Sequence, residues 1–203
     1  RLRDYNSVYI IDHDGTVLSV YDKVHLVPFG EYLPFQTALE RLGLMQLTKL
    51  PGGFLSGDRN RSFPIPGAPR MLPLICYEII FPGAVVDPDD RPQWLFNLTN
   101  DGWYGYSTGP FQHLVAARLR AVEEGLPVVR VANTGISAII DPLGRVVAEL
   151  GLEKQGVVDG PLPLPLSGQT WFSRTGPWGG LGLAVVLMGI GVAISRRRFA
   201  PSR

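Results

Sequence analysis

Met71-Leu72-Pro73-Leu74-Ile75-Cys76-Tyr77-Glu78 is the stretch around which the fold is organised. Its first five residues are apolar, which is typical of a short strand buried on both faces. The polar residues that follow mark the end of this strand, where binding and catalytic side chains commonly lie. We therefore expect Cys76, the only cysteine of the chain, to sit at a strand end and face a cleft. A buried cysteine that only fills space is the alternative.

Strand-like and helix-like runs alternate on both sides of this stretch. Two β-rich runs before it are separated by Asp14-Gly15, a pair that favours a tight hairpin turn. The predicted strands are 7–11, 16–21, 71–75, 94–98, 128–132, 137–140 and 145–150. A short helix at 35–42 and a helical turn at 79–86 lie between them. This alternation predicts a layered α/β domain.

A longer helix is predicted from Pro110 to about residue 125. Proline suits the first turn of a helix, and Gly125 suits its end. Apolar residues recur at helical spacing between them, so that one face of the helix carries Phe111, Leu114, Val115, Leu119 and Val122.

The C-terminal part has the composition of a membrane anchor. Prolines alternate with leucines at 160–166, which suits an extended linker because proline has no amide hydrogen. Residues 175–195 carry no charge, and a helix of about 20 residues spans the roughly 30 Å core of a bilayer. The arginines at 196–198 favour the cytoplasmic side for the C-terminus. A buried core helix is the alternative.

The sequence thus divides into a domain at 1–166, a linker at 167–174, a transmembrane helix at 175–195 and a basic cytoplasmic tail at 196–203. By the same charge rule, the domain lies outside the cytoplasm. A net charge of +1 gives no electrostatic case for binding nucleic acid. The three histidines show no ligand spacing, so we expect no metal site, and no cofactor is implied.

A cysteine nucleophile needs help, because the thiolate attacks and an ordinary thiol is mostly protonated at neutral pH. Lys23 and Glu31, in the polar loop after the second strand, could supply charge beside the thiol. Taken alone, each is most simply a solvated loop charge.

Three ordered motifs resemble the carbon-nitrogen hydrolase (nitrilase) superfamily, and within it the branch of bacterial membrane N-acyltransferases. The motifs are Tyr21-Asp22-Lys23-Val24-His25-Leu26-Val27-Pro28-Phe29-Gly30-Glu31-Tyr32, Ile75-Cys76-Tyr77-Glu78 and Asn97-Leu98-Thr99-Asn100-Asp101-Gly102-Trp103-Tyr104-Gly105. The resemblance continues to residue 136 and includes the apolar terminal run. It implies an α/β fold, an α-β-β-α sandwich of the nitrilase type that is incomplete here, followed by one C-terminal transmembrane helix.

The resemblance also implies a Glu-Lys-Cys triad. Cys76 matches the nucleophile and Lys23 matches the lysine that stabilises the tetrahedral oxyanion, a role suited to an ammonium. Glu31 matches an auxiliary glutamate that orients the site. Glu78 matches another functionally important glutamate, and on an extended strand it would point to the same side as Cys76.

Three further residues match positions that line the active site of the family. These substrate-binding candidates are Tyr77, Asn100 and Trp103. For Trp103, an ordinary packing role is the alternative.

One part of the family pattern has no counterpart. The general-base glutamate lies upstream of the lysine motif in the family, whereas the acidic residues before Lys23 are all aspartates in other contexts. We therefore expect this chain to be a piece of a longer protein, without its first membrane helices and its base, and to be inactive alone.

The implied activity is transfer of an acyl chain from a phospholipid, through a cysteine thioester, to the N-terminal diacylglyceryl-cysteine of an apolipoprotein. The implied setting is the bacterial inner membrane, in a multi-pass protein with a periplasmic catalytic domain. Two alternatives stay open: an amidase of the nitrilase type that uses water, and a non-catalytic membrane-anchored domain.

Overall fold

The computed structural model describes residues 4–43 and 53–198. Within these residues, ten strands and three α-helices follow one another. The strands are β1 (Asp4–Tyr5), β2 (Ser7–Ile11), β3 (Val17–Asp22), β4 (Phe54–Leu55), β5 (Phe63–Ile65), β6 (Ala68–Ile75), β7 (Trp94–Asn100), β8 (Val128–Asn133), β9 (Ser137–Ile140) and β10 (Val146–Leu150). The helices are α1 (Gln36–Arg41), α2 (Gly109–Glu124) and α3 (Trp171–Arg198). The α/β prediction is confirmed.

A six-stranded sheet in the order β10-β9-β8-β7-β6-β5 forms the centre of the domain. Its three middle strands, β6, β7 and β8, are parallel, and the outer strands pair antiparallel. One face of the middle strands packs into the core, where Leu74, Leu95 and Val128 are fully buried. The opposite face is buried only in β6; in β7 and β8 its residues are half-buried or exposed, so the prediction of burial on both faces is wrong for 94–98. Since the middle strands are parallel, their carboxyl ends share one edge of the sheet, and Cys76 lies at that edge.

The predicted hairpin is present as β2 and β3, with Val8 opposite Tyr21. Gly15 has a φ of 86° in its turn, a conformation that glycine adopts without strain. Strand β3 carries the chain from this turn toward β6, and Tyr21 near its end is buried. Lys23 follows β3 directly, so the hairpin determines where Lys23 enters the domain.

Helix α2 ends where the sequence predicts, since Gly125 caps it with a φ of 65°. Its buried face differs from the apolar face seen in the sequence. Of the five apolar residues, only Leu114 is buried, and the other four are 45 to 52% exposed. The side that packs inward instead carries Ala117 and Ala121, whose small side chains allow close approach, together with the polar residues His113, Arg120 and Glu124.

Helix α3 begins at Trp171, inside the segment predicted to be the linker 167–174. It is interrupted at Gly176, which has non-helical dihedral angles, and Pro177 follows this break. The portion Trp171–Val192 has a mean hydropathy of 1.5 and is long and apolar enough to cross a membrane, and none of its most apolar stretch is buried. It is the one helix of this kind among the residues that the structure describes.

Polar contacts hold the first turn of α3 against the domain. Arg91 donates to Glu124 Oε2 over 3.2 Å and to Ser173 Oγ over 3.0 Å. Ser173 Oγ also donates to Glu124 Oε2 over 3.0 Å, and Thr170 donates to the carbonyl of Glu123. The break at Gly176 therefore lies between a turn fixed to the α/β domain and an exposed apolar helix.

Candidate active site around Cys76

Cys76 begins a single 3₁₀ turn, Cys76–Ile80, directly after β6; we call it the cysteine turn. Its φ is 53°, in the left-handed region that residues other than glycine seldom occupy. Such a conformation persists when the surrounding structure imposes it, and it is frequent at functional sites. The thiol is partly buried and packs against the cluster that contains Tyr21 and Phe63.

The cysteine turn corrects two sequence predictions. Residues 76–78 are helical rather than extended, and the helical turn predicted at 79–86 begins earlier, at Cys76. The cause is Glu78, whose Oε2 accepts from the backbone N–H of Ile75 over 2.7 Å and so caps the turn. Glu78 therefore points into the protein and does not share a face with Cys76 in the way that an extended strand would require.

The carboxylate of Glu78 also holds the segment around Lys23. Its Oε1 accepts from the backbone N–H groups of Val24 and His25 over 2.7 and 3.1 Å, and from the hydroxyl of Tyr21 over 2.9 Å. Burial raises the pKa of Glu78, and the three backbone N–H groups offset only part of that effect. Burial and the neighbouring charge of Glu78 also raise the pKa of Tyr21. Glu78 thus joins the cysteine turn to the lysine segment.

Lys23 and Glu31 form a buried ion pair. Lys23 Nζ lies 2.7 Å from Glu31 Oε2, and the two residues are 1% and 8% exposed. The backbone N–H of Val27 donates to the same oxygen over 2.8 Å, and Asn6 donates to Glu31 Oε1 over 2.9 Å. Neither residue is a solvated loop charge. The ion pair holds the ammonium of Lys23 in place, and the oxyanion-binding role of Lys23 stays a prediction.

An apolar groove of about 570 Å³ runs along the lysine segment and reaches the cysteine turn. Tyr77 lies in its wall and meets Phe81 edge to face, with ring centroids 5.0 Å apart. The other wall includes Val24, Leu26, Tyr32 and Phe54. Such a lining suits a hydrocarbon chain better than a polar substrate. Tyr77 lines this groove, and its substrate-binding role stays a prediction.

Asn100 and Trp103 follow the end of β7 at the same edge of the sheet. Asn100 Oδ1 accepts from the N–H of Gly102 over 3.1 Å and from Asn133 Nδ2 over 3.3 Å, which shapes the turn that carries Trp103. The Trp103 side chain is 66% exposed. In the described structure, neither residue lines the groove beside Tyr77, and their substrate-binding roles stay predictions.

Two polar residues to which sequence reasoning gave no role, His113 and Asn97, contact the carbonyl oxygen of Cys76, and Asp101 and Arg130 connect these two. His113 Nε2 lies 3.1 Å from this oxygen, and Asn97 Nδ2 lies 3.4 Å from it. His113 Nδ1 meets Asp101 Oδ1 at 2.8 Å, Arg130 donates to Asp101 Oδ2 over 2.6 Å, and Arg130 also donates to Asn97 Oδ1. We call this closed circuit of five residues the anchoring ring.

The anchoring ring is buried and closely packed. Burial alone would raise the pKa of Asp101, but the hydrogen bond with His113 and the charge of Arg130 together hold that pKa below its ordinary value. Gly135 lies against the Asp101 carboxylate, where a Cβ atom would collide with it. A sequence signal for the ring exists: Asn97 and Arg130 interrupt apolar strands, and a polar residue buried in such a strand needs partners.

A search for metal sites gives no candidate. In residues 4–43 and 53–198, no group of three or more His, Cys, Asp or Glu side chains could hold a metal ion.

Comparison with known families gives a match over most of the chain. The pattern of the family described as "Carbon-nitrogen hydrolase" matches residues 1–171. An apolipoprotein N-acyltransferase of Rhodopseudomonas palustris is 60% identical over 174 residues, which are 86% of this chain and 32% of that protein. One of Bradyrhizobium diazoefficiens is 56% identical over 201 residues, which are 99% of this chain and 36% of that protein. The chain thus spans about a third of the length of these relatives.

Solved structures share the fold. A member of branch 10 of the nitrilase superfamily from Saccharomyces cerevisiae matches with a TM-score of 0.53 and 21% identity, over 74% of this chain and 51% of that one. At this identity, the match concerns the fold alone, and it agrees with the layered α/β arrangement described above.

Proposed function

The chain belongs to the carbon-nitrogen hydrolase family, and on that premise we propose that the complete protein containing it is a membrane apolipoprotein N-acyltransferase. It moves an acyl chain from a phospholipid to the N-terminal diacylglyceryl-cysteine of an apolipoprotein. The observation that carries this proposal is a strained cysteine turn that Glu78 joins to the segment of a buried lysine-glutamate pair. The same chain carries an exposed apolar helix. The names of the relatives at 56 to 60% identity support it.

The reaction has two steps on one sulfur atom. In the first, a base takes the proton of the Cys76 thiol, the thiolate attacks the ester carbonyl of the phospholipid, and an S–C bond forms. The C–O bond then breaks, and the base returns the proton to the leaving lysophospholipid. In the second, the α-amine of the apolipoprotein attacks the thioester, an N–C bond forms, and the S–C bond breaks. The amine loses its proton to a base and the thiolate returns. This order gives ping-pong kinetics.

Each step passes through a tetrahedral oxyanion, and Lys23 is the residue suited to stabilise it. Its ammonium carries three N–H donors, of which Glu31 takes one in the described residues. A buried, fixed ammonium stabilises developing negative charge more strongly than one in water, because the site is already organised. Glu31 holds the ammonium in place, and Glu78 holds the lysine segment against the cysteine turn.

The general base is the component that these residues do not supply. No glutamate precedes Lys23, and the carboxylates of Glu31 and Glu78 are occupied with Lys23 and with backbone N–H groups. We therefore assign the base to a carboxylate elsewhere in the complete protein. The groove beside Tyr77 receives a hydrocarbon chain of the donor.

The membrane setting follows from the substrates. Both substrates carry lipid chains, and a helix in the same bilayer raises their effective concentration at the site. Helix α3 supplies that anchor, with the basic residues at 196–198 on the cytoplasmic side and the catalytic domain in the periplasm. The complete protein would be a multi-pass protein of the bacterial inner membrane.

The decisive experiment detects the thioester. The complete protein and its Cys76→Ala variant are purified in detergent and incubated with a phospholipid labelled in its acyl chain. We expect a hydroxylamine-sensitive label on the parent protein and none on the variant. Addition of a diacylglyceryl-cysteine peptide should then move the label to the peptide amine.

The same experiment separates the alternatives. A label released to water at the same rate with and without the peptide would identify a hydrolase. A protein that takes up no label would be the non-catalytic membrane domain. Label that persists on Cys76→Ala would exclude Cys76 as the nucleophile.

A further inference from the structure

We infer that His113 is a positioning residue for Cys76, acting through its hydrogen bond to the Cys76 carbonyl oxygen. This inference rests on the proposed role of Cys76 as the nucleophile. His113 lies on α2 and touches the backbone of the cysteine turn rather than the thiol. Its effect on chemistry therefore passes through the conformation of Cys76.

The cysteine turn needs such an anchor because its backbone is strained. A residue other than glycine in the left-handed region costs about 1 to 3 kcal/mol and keeps that conformation only when its surroundings impose it. At Cys76 the two hydrogen bonds from His113 and Asn97 to the carbonyl oxygen supply that restraint. If φ returned to negative values, the Cα–Cβ bond would turn and carry the sulfur away from its present direction.

The anchor also fixes the next amide group. In a trans peptide, the C=O and the N–H point in opposite directions. A Cys76 carbonyl that points toward His113 and Asn97 therefore turns the N–H of Tyr77 away from the anchoring ring. The first N–H groups of a helical turn have no partner within that turn. One hydrogen bond at His113 thus sets the direction of both the thiol and this donor.

The anchoring ring can hold the carbonyl firmly because it is closed. His113 connects to Arg130 through Asp101, and Asn97 connects to Arg130 directly. The five residues come from the cysteine turn, β7, the turn after β7, α2 and β8. The other four residues of the ring are at least nine-tenths buried, so solvent has little access to the bonds among them.

Two substitutions separate the positioning role of His113 from a structural one. In His113→Gln, the amide nitrogen lies as many bonds from Cβ as Nε2 does in histidine, so the variant can still donate to the Cys76 carbonyl. In His113→Asn, the amide nitrogen replaces Nδ1, so the variant can still donate to Asp101 but no longer reaches Cys76. Both side chains are polar and smaller than imidazole.

The measurements are made on the complete protein in detergent. The first is the second-order rate constant for alkylation of Cys76 by acrylamide, followed by mass spectrometry of its peptide. The second is kcat and KM for acyl transfer from phospholipid to a diacylglyceryl-cysteine peptide. The third is the midpoint of thermal unfolding. Leu114→Ala, a buried change on the same helix that does not touch the ring, is the control for lost stability.

We expect His113→Asn to lower the alkylation rate constant and kcat by at least about tenfold, with little change in KM, because small displacements of a reacting group are costly. For His113→Gln, the alkylation rate constant and kcat should stay within about threefold of the parent values, since its contact with Cys76 is kept. Leu114→Ala should lower the unfolding temperature and leave the alkylation rate constant of the folded protein unchanged.

The inference is overturned if His113→Asn matches the parent protein, if both variants fall equally, or if His113→Gln is the worse of the two. In the last case, only the hydrogen bond between His113 and Asp101 would matter for Cys76. A parent protein that shows no acyl transfer at all would remove the proposed function. The alkylation rates of the two variants would still decide whether His113 positions Cys76.

Discussion

Lys23 Nζ donates a hydrogen bond to Glu31 Oε2 over 2.7 Å, in a part of the protein where both side chains are almost completely buried. A buried ion pair adds little net stability, because desolvation of both charges offsets their attraction. Removal of one partner is costly, however, because it leaves the other charge buried and unpaired. We therefore interpret the pair as a means of holding the ammonium of Lys23 in place rather than as a source of stability.

Lys23→Ala should lower the rate of thioester formation by about a hundredfold or more, the usual cost of removing one oxyanion donor. Lys23→Arg should not restore the rate, because a broad planar guanidinium does not replace a compact ammonium in a closed site. Lys154→Ala, at an exposed lysine, is the matched control and should keep the parent rate. A rate near that of the parent protein in Lys23→Ala would make Lys23 purely structural.

Glu31→Gln should keep the shape of the pair but remove the charge that holds the ammonium. The amide oxygen can still accept from Lys23, whereas the uncompensated buried cation should lower the stability by about 3 kcal/mol or more. The thermal unfolding midpoint of the complete protein measures this loss. Glu149→Gln, at an exposed glutamate on β10, should shift it by little. Equal shifts in the two variants would mean that the loss of the Glu31 charge destabilises the protein no more than the loss of an exposed charge does.

Glu78 should make stability depend on pH in a definite direction. Its pKa in the folded protein is raised, so the folded state keeps the proton to higher pH than the unfolded chain does. Its contribution is complete below the ordinary pKa and is lost as pH rises through the raised folded-state pKa. Glu78→Gln cannot ionise at this position. The unfolding temperature of this variant should therefore rise, relative to that of the parent protein, as the pH rises. A pH-independent difference would contradict this expectation.

Glu78→Ala should be the most destabilising change at this position. It leaves the backbone N–H groups of Val24, His25 and Ile75 without their acceptor, and each buried donor without a partner costs about 1 to 3 kcal/mol. The Tyr21 hydroxyl keeps an acceptor in Asn60 Oδ1, at 3.0 Å. We expect it to unfold at a lower temperature than Glu78→Gln, which keeps an oxygen in place. Circular dichroism on heating compares the two variants. Equal unfolding temperatures would show that the hydrogen bonds to Glu78 are not stabilising.

The orientation of α3 is open to chemical labelling. In a background without other cysteines, Ser202→Cys should resist an impermeant thiol reagent in intact cells, because the basic end is expected in the cytoplasm. Ser167→Cys, before the helix, should react. The reverse pattern would place the catalytic domain in the cytoplasm.

Local signals were sufficient for most of the secondary structure, but not for β1, β4, β5 and the cysteine turn. The hairpin, the apolar middle strands of the sheet, the end of α2 at Gly125 and the apolar C-terminal helix all follow from periodicity, turn residues and composition. These features depend on residues within one turn or one strand, so they can be predicted from the sequence alone. The three sequence motifs include Glu78, which joins the cysteine turn to the lysine segment, but they do not include His113 and Arg130 of the anchoring ring.

Tertiary structure alone decided the directions of the side chains. Glu78 turns inward because its acceptor oxygens meet N–H groups 53 and 54 residues earlier in the chain. His113 reaches the Cys76 carbonyl, 37 residues away, because α2 packs on the cysteine turn through small alanines rather than through its most apolar face. Hydrogen bonds between residues so far apart depend on how the elements pack. The local amino-acid pattern therefore determines whether a segment is a strand or a helix. The packing of these elements determines which of their polar side chains meet at the site.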